Sequence, residues 1–149
     1  MIYPSLQAVG TDRAIDVASL DRPAVFICYA ESTQHGAAIE AAVRAQHTAA
    51  QVLVAHVIDL HTVPSLFRSV ARGILNSEYE KAVAELPPGE TADDHVVILP
   101  DWDAAFVTAT GLDNVTQRLG VAVFAANGTP LGLAQGDDAA AEVMQLLGS

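Results

Sequence analysis

The sequence predicts an α/β protein with a mixed central β-sheet flanked by helices on both faces, and three observations predict it. Three apolar runs, "PAVFICYA" (23 to 30), "VLVAHVIDL" (52 to 60) and "HVVILP" (95 to 100), are continuous rather than alternating, the pattern of strands buried on both faces. Stretches with helical spacing separate them, as crossovers between parallel strands require. The third observation is "GVAVFAANGTPLGLAQG", two strands joined across Asn127 and Gly128, a strong hairpin turn. Right-handed crossovers between the early strands, with an antiparallel hairpin at one edge, make the sheet mixed.

Each element has its own reason. "RAIDVAS" (13 to 19) is a short extended stretch ahead of the first run. After residue 30 the period changes: with Ser32 or Thr33 as N-cap, Ile39, Ala42 and Val43 recur at helical spacing. Pro64 and Ser65 open a second helix, in which Leu66, Val70, Ile74, Tyr79 and Val83 fall on roughly one face and Gly73 weakens or bends the rod. "PPGETADD" (87 to 94) is the clearest loop, too short and too internal to link two domains, so residues 1 to 149 are expected to form one domain. In "DWDAAFVTATG", Asp101 and Asp103 cap a short helix around a packed Trp102, and Gly111 ends it. "DDAAAEVMQLLG" closes the chain as an amphipathic helix. Strands are expected at 23 to 30, 52 to 60, 95 to 100, 120 to 126 and 130 to 135.

Composition narrows the partners. With 149 residues and 51% hydrophobic content, the chain can bury about 68 to 70% of the surface it exposes when unfolded. A formal charge of −11 and a single lysine, Lys81, argue against nucleic acid and anionic membranes, which demand clustered Lys and Arg. The expected partner is an unidentified protein or a second copy in a homodimer. The surfaces expected to serve it are the face from Tyr29 to His35, with Trp102 and Phe106 nearby, and the open edge of a terminal strand. No basic start precedes a long apolar run and no window reaches the ~18 apolar residues of a span, which leads to the expectation of a soluble, cytoplasmic protein. One cysteine, Cys28, excludes an intrachain disulfide and a cysteine-based metal cluster.

The order of elements and several segments resemble the thioredoxin-like superfamily, in its peroxiredoxin and thiol-disulfide reductase branch. "AIDVASLDRPAVFICYA" is similar to the opening of that branch, "LPDWDAAFVTATG" to its acidic turn and short helix, and "LGVAVFAANGTPLGLAQG" to its last hairpin. The resemblance covers about residues 12 to 147 and implies reactive cysteines at the bend after the first core strand, where a helix N-terminus lowers a thiol pKa. Aligned on Ala30 with the reductase pattern W-A-x-W-C-x-x-C, the two cysteine positions fall on Thr33 and Gly36. Aligned on the peroxiredoxin pattern P-x-x-x-T-x-x-C, Tyr29 replaces the proline, Thr33 matches the threonine, and Gly36 again stands for the attacking cysteine. The superfamily's cis-proline falls on Gly120, and the peroxiredoxin arginine on Leu119 with Arg118 beside it. Thr33, Gln34, His35 and Gly36 therefore form a vestigial active-site bend, and a redox-inactive binding or dimerising module is expected, with no cofactor.

Two other chemistries compete with that reading. His35 can join Asp59 and His61, at the end of the second core strand, in a divalent-metal or small-ligand site with Thr33, although their spacing matches no fixed zinc pattern. Cys28 can act as a lone thiol, but mid-strand in an apolar run it reads as a core residue. His56 reads as a satisfied core or edge histidine, His47 as solvent-facing, and Arg68 and Arg72 as a solvated helix face.

Overall fold

The structure is a computed structural model that describes residues 3–11, 13–30, 33–136 and 138–148, with the side chains of Thr33, Gln34 and His35 left outside the description. The expected cap at Ser32 or Thr33 and the first acid of the last helix, Asp137, thus lie outside the described residues.

A short antiparallel pair comes first, β1 (Leu6–Gln7) with β2 (Ala14–Ile15), followed by a 3-10 turn at Val17–Ser19 that Asp16 caps through the Ala18 N–H. Then follow β3 (Ala24–Tyr29), α1 (Thr33–Arg44), β4 (Leu53–Asp59), α2 (Arg68–Ala84) after a 3-10 turn at Ser65–Phe67, α3 (Ala92–His95), β5 (Ile98–Asp101), α4 (Ala105–Thr110), β6 (Gly120–Phe124), β7 (Pro130–Gln135) and α5 (Ala139–Leu146). The main sheet runs β5-β4-β3-β6-β7: β3, β4 and β5 are parallel, and β6 and β7 antiparallel. This is the mixed sheet that the three apolar runs and the hairpin dictate. The hairpin closes as its residues predict, with Gly128 at φ 88 and the Thr129 N–H donating to the Asn127 side-chain oxygen at 3.0 Å.

Strand alternation sends successive side chains to opposite faces, so two cores form. One holds Ala24, Phe26, Cys28, Ala55, Val57, Leu99, Ala122 and Phe124 under the N-terminal hairpin and α4. The other holds Val25, Ile27, Tyr29, Val54, Ile58, Val121 and Val123 under α1 and α5, with Leu75 of α2 at its margin. Helices therefore cover both faces.

Three expectations change. The third strand begins at Ile98 rather than residue 95, because the loop before it winds into the single turn of α3 with Asp93 and Asp94 at its start. The second helix opens at Arg68, after a 3-10 turn at Ser65–Phe67, rather than at Pro64 and Ser65, and runs through Gly73 to Ala84. The apolar face expected of α2 divides: Leu75, Tyr79 and Val83 turn inward, half-buried, while Leu66, Val70 and Ile74 are 81%, 57% and 58% exposed. Sequence spacing detects apolar residues on a helix but does not say which of two apolar sides meets the core.

Candidate functional site

The carboxyl ends of β3, β4 and β5, with the start of α1, form the edge at which open α/β sheets hold ligands. Two polar clusters stand there, one on each face of the sheet.

On the α1 face, Gly36 is buried at the position where either alignment sets a cysteine. The space a side chain would take is crowded: a Cβ there would lie 3.1 Å from Cε1 of Tyr29 and 3.5 Å from the His56 ring. Those two side chains are joined in a chain of hydrogen bonds. Glu40, one turn beyond Gly36, accepts from His56 Nε2 at 2.8 Å, and the Tyr29 hydroxyl is bonded to Nδ1 of the same ring at 3.0 Å. Burial pushes the Tyr29 hydroxyl up to about 12, with the charges of Glu40 and Glu78 adding to it, so the phenol keeps its proton. His56 is the satisfied histidine that its place in a buried strand predicts. Glu40 was not singled out by sequence; its signal is an acid set between the inward residues Gly36, Ile39 and Val43.

On the opposite face, Asp59 and Asp101 lie side by side in the β4–β5 register, 4% and 3% exposed. Asp59 accepts from the His61 N–H at 3.0 Å and from His61 Nδ1 at 2.5 Å. Asp101 accepts from the backbone N–H groups of Phe106 at 3.3 Å and Val107 at 3.0 Å, capping α4 as expected. Burial raises the Asp101 carboxyl above its ordinary 3.8, against those two hydrogen bonds and with the Asp59 charge pushing the same way. Cys28 lies on this face, fully buried, and burial followed by the two carboxylates drives its thiol far above the ordinary range, the reverse of an activated cysteine.

The raised carboxyl has a consequence for stability. The folded state holds the Asp101 proton more tightly than the unfolded chain, so this contribution is full below about 3.8 and is lost as pH rises through the folded value. Asp101→Asn removes the dependence. Urea midpoints of the two proteins are expected to move in favour of the native chain as pH falls from neutral toward 4; movement the other way would contradict the burial argument.

The structure brings Asp59 and His61 together, while the His35 side chain of the proposed metal trio lies outside the described residues. Among those residues no group of three or more His, Cys, Asp or Glu is placed to hold a metal. Gly120 opens β6 directly across from Cys28, and among the described residues no peptide bond is cis. Arg68 and Arg72 are not simply solvated: their guanidiniums sit 5.6 and 4.9 Å from the centroid of the Trp102 ring, and Arg68 also reaches Asp103 at 3.4 Å. His47 is half-buried rather than solvent-facing. Of the expected docking face, Tyr29 and Phe106 are buried, at 6% and 1% exposure, Trp102 is half-buried, and the side chains of residues 31 to 35 lie outside the described residues.

No protein-family model matches the chain, and no curated protein matches it. Solved structures do. The exposed lipoprotein thioredoxin Etrx1 of Streptococcus pneumoniae strain TIGR4 aligns with a TM-score of 0.64 at 11% identity over 97% of each chain. Mycobacterium tuberculosis dsbF aligns at 0.61 and 16% identity over 99% of this chain and 94% of its own. A secreted M. tuberculosis disulfide oxidoreductase homologous to E. coli DsbE aligns at 0.57 and 12% identity over 98% and 96%. The expectation of a cytoplasmic protein is corrected by these likenesses, since the proteins of this shape include an exposed lipoprotein and a secreted enzyme. Acidic composition and the lack of a membrane-length helix among the described residues are physically compatible with either compartment, so neither selects the cytoplasm. At these identities the likeness establishes shape: the chain has the thioredoxin-like fold, and its single cysteine leaves it without the cysteine pair of a dithiol-disulfide oxidoreductase.

Proposed function

We propose that residues 1 to 149 act as one redox-inactive thioredoxin-like domain whose role is binding rather than thiol chemistry. The observation that carries this reading is the crowded position at Gly36, where the Tyr29 ring and the His56 ring, itself held by Glu40, press on the space a cysteine side chain would need. The bend from Thr33 to Gly36 is then the remnant of an active site, and Gly120 stands where relatives carry the cis-proline. The lone thiol is a poor substitute, because Cys28 is shut inside the sheet and its thiolate is strongly disfavoured. The oxidoreductases of like shape favour descent from a disulfide reductase over a peroxiredoxin. The same likenesses support a secreted or envelope location for this chain, which fractionation of the producing cells tests. The Asp59 carboxylate is already engaged by its own His61, which weighs against the metal reading. Disulfide or peroxide turnover measured beside Cys28→Ser tests the proposal: equal, background rates are expected, and turnover that needs Cys28 would overturn it.

A further inference from the structure

Helix α2 carries its apolar residues on two sides, and only one side meets the core. The outward side presents two adjacent rows four residues apart. Val70 and Ile74 form a ridge that exposed Leu66, in the 3-10 turn just before the helix, extends, and Ser69, Gly73 and Ser77 form a shallow groove beside it. Phe67, 52% exposed, widens the apolar strip. Nothing among the described residues explains the groove: a Cβ at Gly73 would meet none of their atoms within 4 Å, yet glycine in a helix interior weakens the helix. A close helix-to-helix approach would offset that cost.

We propose that α2 is the seam of a homodimer in which two α2 helices cross in parallel sense near Gly73, the Leu66–Val70–Ile74 ridge of each copy seated in the Ser69–Gly73–Ser77 groove of the other. A second copy is the occupant because the surface complements itself. In a two-fold pair of parallel helices, opposite flanks of the same face meet, so each ridge faces a groove. The charges match as well: Glu80 and Lys81, both exposed, lie on opposite flanks of that face, which sets Glu80 of each copy toward Lys81 of its partner. Residues 60 to 77 contain no acid in a chain of charge −11, so the seam brings apolar surface together while most of the mutual repulsion stays away from it. The inference rests on the reading of the domain as a binding module and names the partner.

Sedimentation of the full chain across a concentration series tests it. The native chain is expected to be dimeric at tens of micromolar. Val70→Glu is expected to weaken the dimer at least tenfold with an unchanged circular dichroism spectrum, and Lys81→Glu to weaken it in a way that Glu80→Lys in the same chain restores. Gly73→Leu supplies a readout that ordinary destabilisation would not give, because it fills the groove and favours helix: the melting temperature of the monomer rises while the dimer is lost. A native chain that stays monomeric throughout, or variants that associate as the native chain does, would overturn the seam. Monomers without thiol turnover would leave the binding reading in place, whereas turnover through Cys28 would remove that reading whatever the state of assembly.

Discussion

Replacing Phe26 with alanine is expected to lower the unfolding free energy by about 3 to 5 kcal/mol, the range for a buried phenylalanine whose cavity only partly closes. Phe26 is wholly buried in the centre of β3, with its ring 5.0 Å from that of Phe106 and 5.5 Å, edge-on, from that of Phe124. Tyr3 extends the cluster, 5.1 Å from Phe124. These rings join β3, α4, β6 and the N-terminal segment, so the loss is spread across elements distant in sequence. Urea denaturation measures it; a loss below about 1 kcal/mol would mean that the neighbouring rings collapse into the space and that the cluster does not hold the sheet.

His56→Leu is expected to cost about 2 to 4 kcal/mol, because it leaves the buried Tyr29 hydroxyl and the Glu40 carboxylate without their shared partner. The asymmetry of hydrogen bonds supplies the control. Removing the stranded hydroxyl with Tyr29→Phe in the same chain is expected to recover about 1 to 2 kcal/mol, whereas Tyr29→Phe alone costs about 1 kcal/mol. A double-mutant cycle from urea denaturation reads the coupling. Strict additivity would mean that the two groups do not bond in solution and that the space beside Gly36 is held by ring packing alone.

Much of the scaffold was legible in the residues. The runs around Ile27 and Val54 are buried on both faces and read as such, whereas the run around Leu99 forms the edge strand β5 and buries only alternate residues; Asn127 with Gly128 fixes the hairpin by local backbone preference alone. Asp101 could be placed at a helix start because capping is local. What escaped the sequence was long-range. Glu40 meets His56 only when α1 lies on β4, and Arg72 finds Trp102 only after α2 and the end of β5 come together. The exposed side of α2 was hidden for a related reason: Leu66, Val70 and Ile74 share a spacing with residues of the core face, and only packing separates the two sides. At the bend, the absence of cysteine at Thr33 and Gly36 was plain, but its physical counterpart, a ring pressing on the space, appears only in three dimensions.

The central claim is that a thioredoxin-like fold persists here without its thiol chemistry, and a turnover measurement tests it most directly. The native chain and Cys28→Ser would be assayed side by side for reduction of insulin disulfides and of hydrogen peroxide, with dithiothreitol as the electron source and its own rate subtracted. Both proteins are predicted to add nothing to the dithiothreitol rate, since the only thiol is buried and held protonated. Turnover by the native chain that disappears in Cys28→Ser would contradict the account.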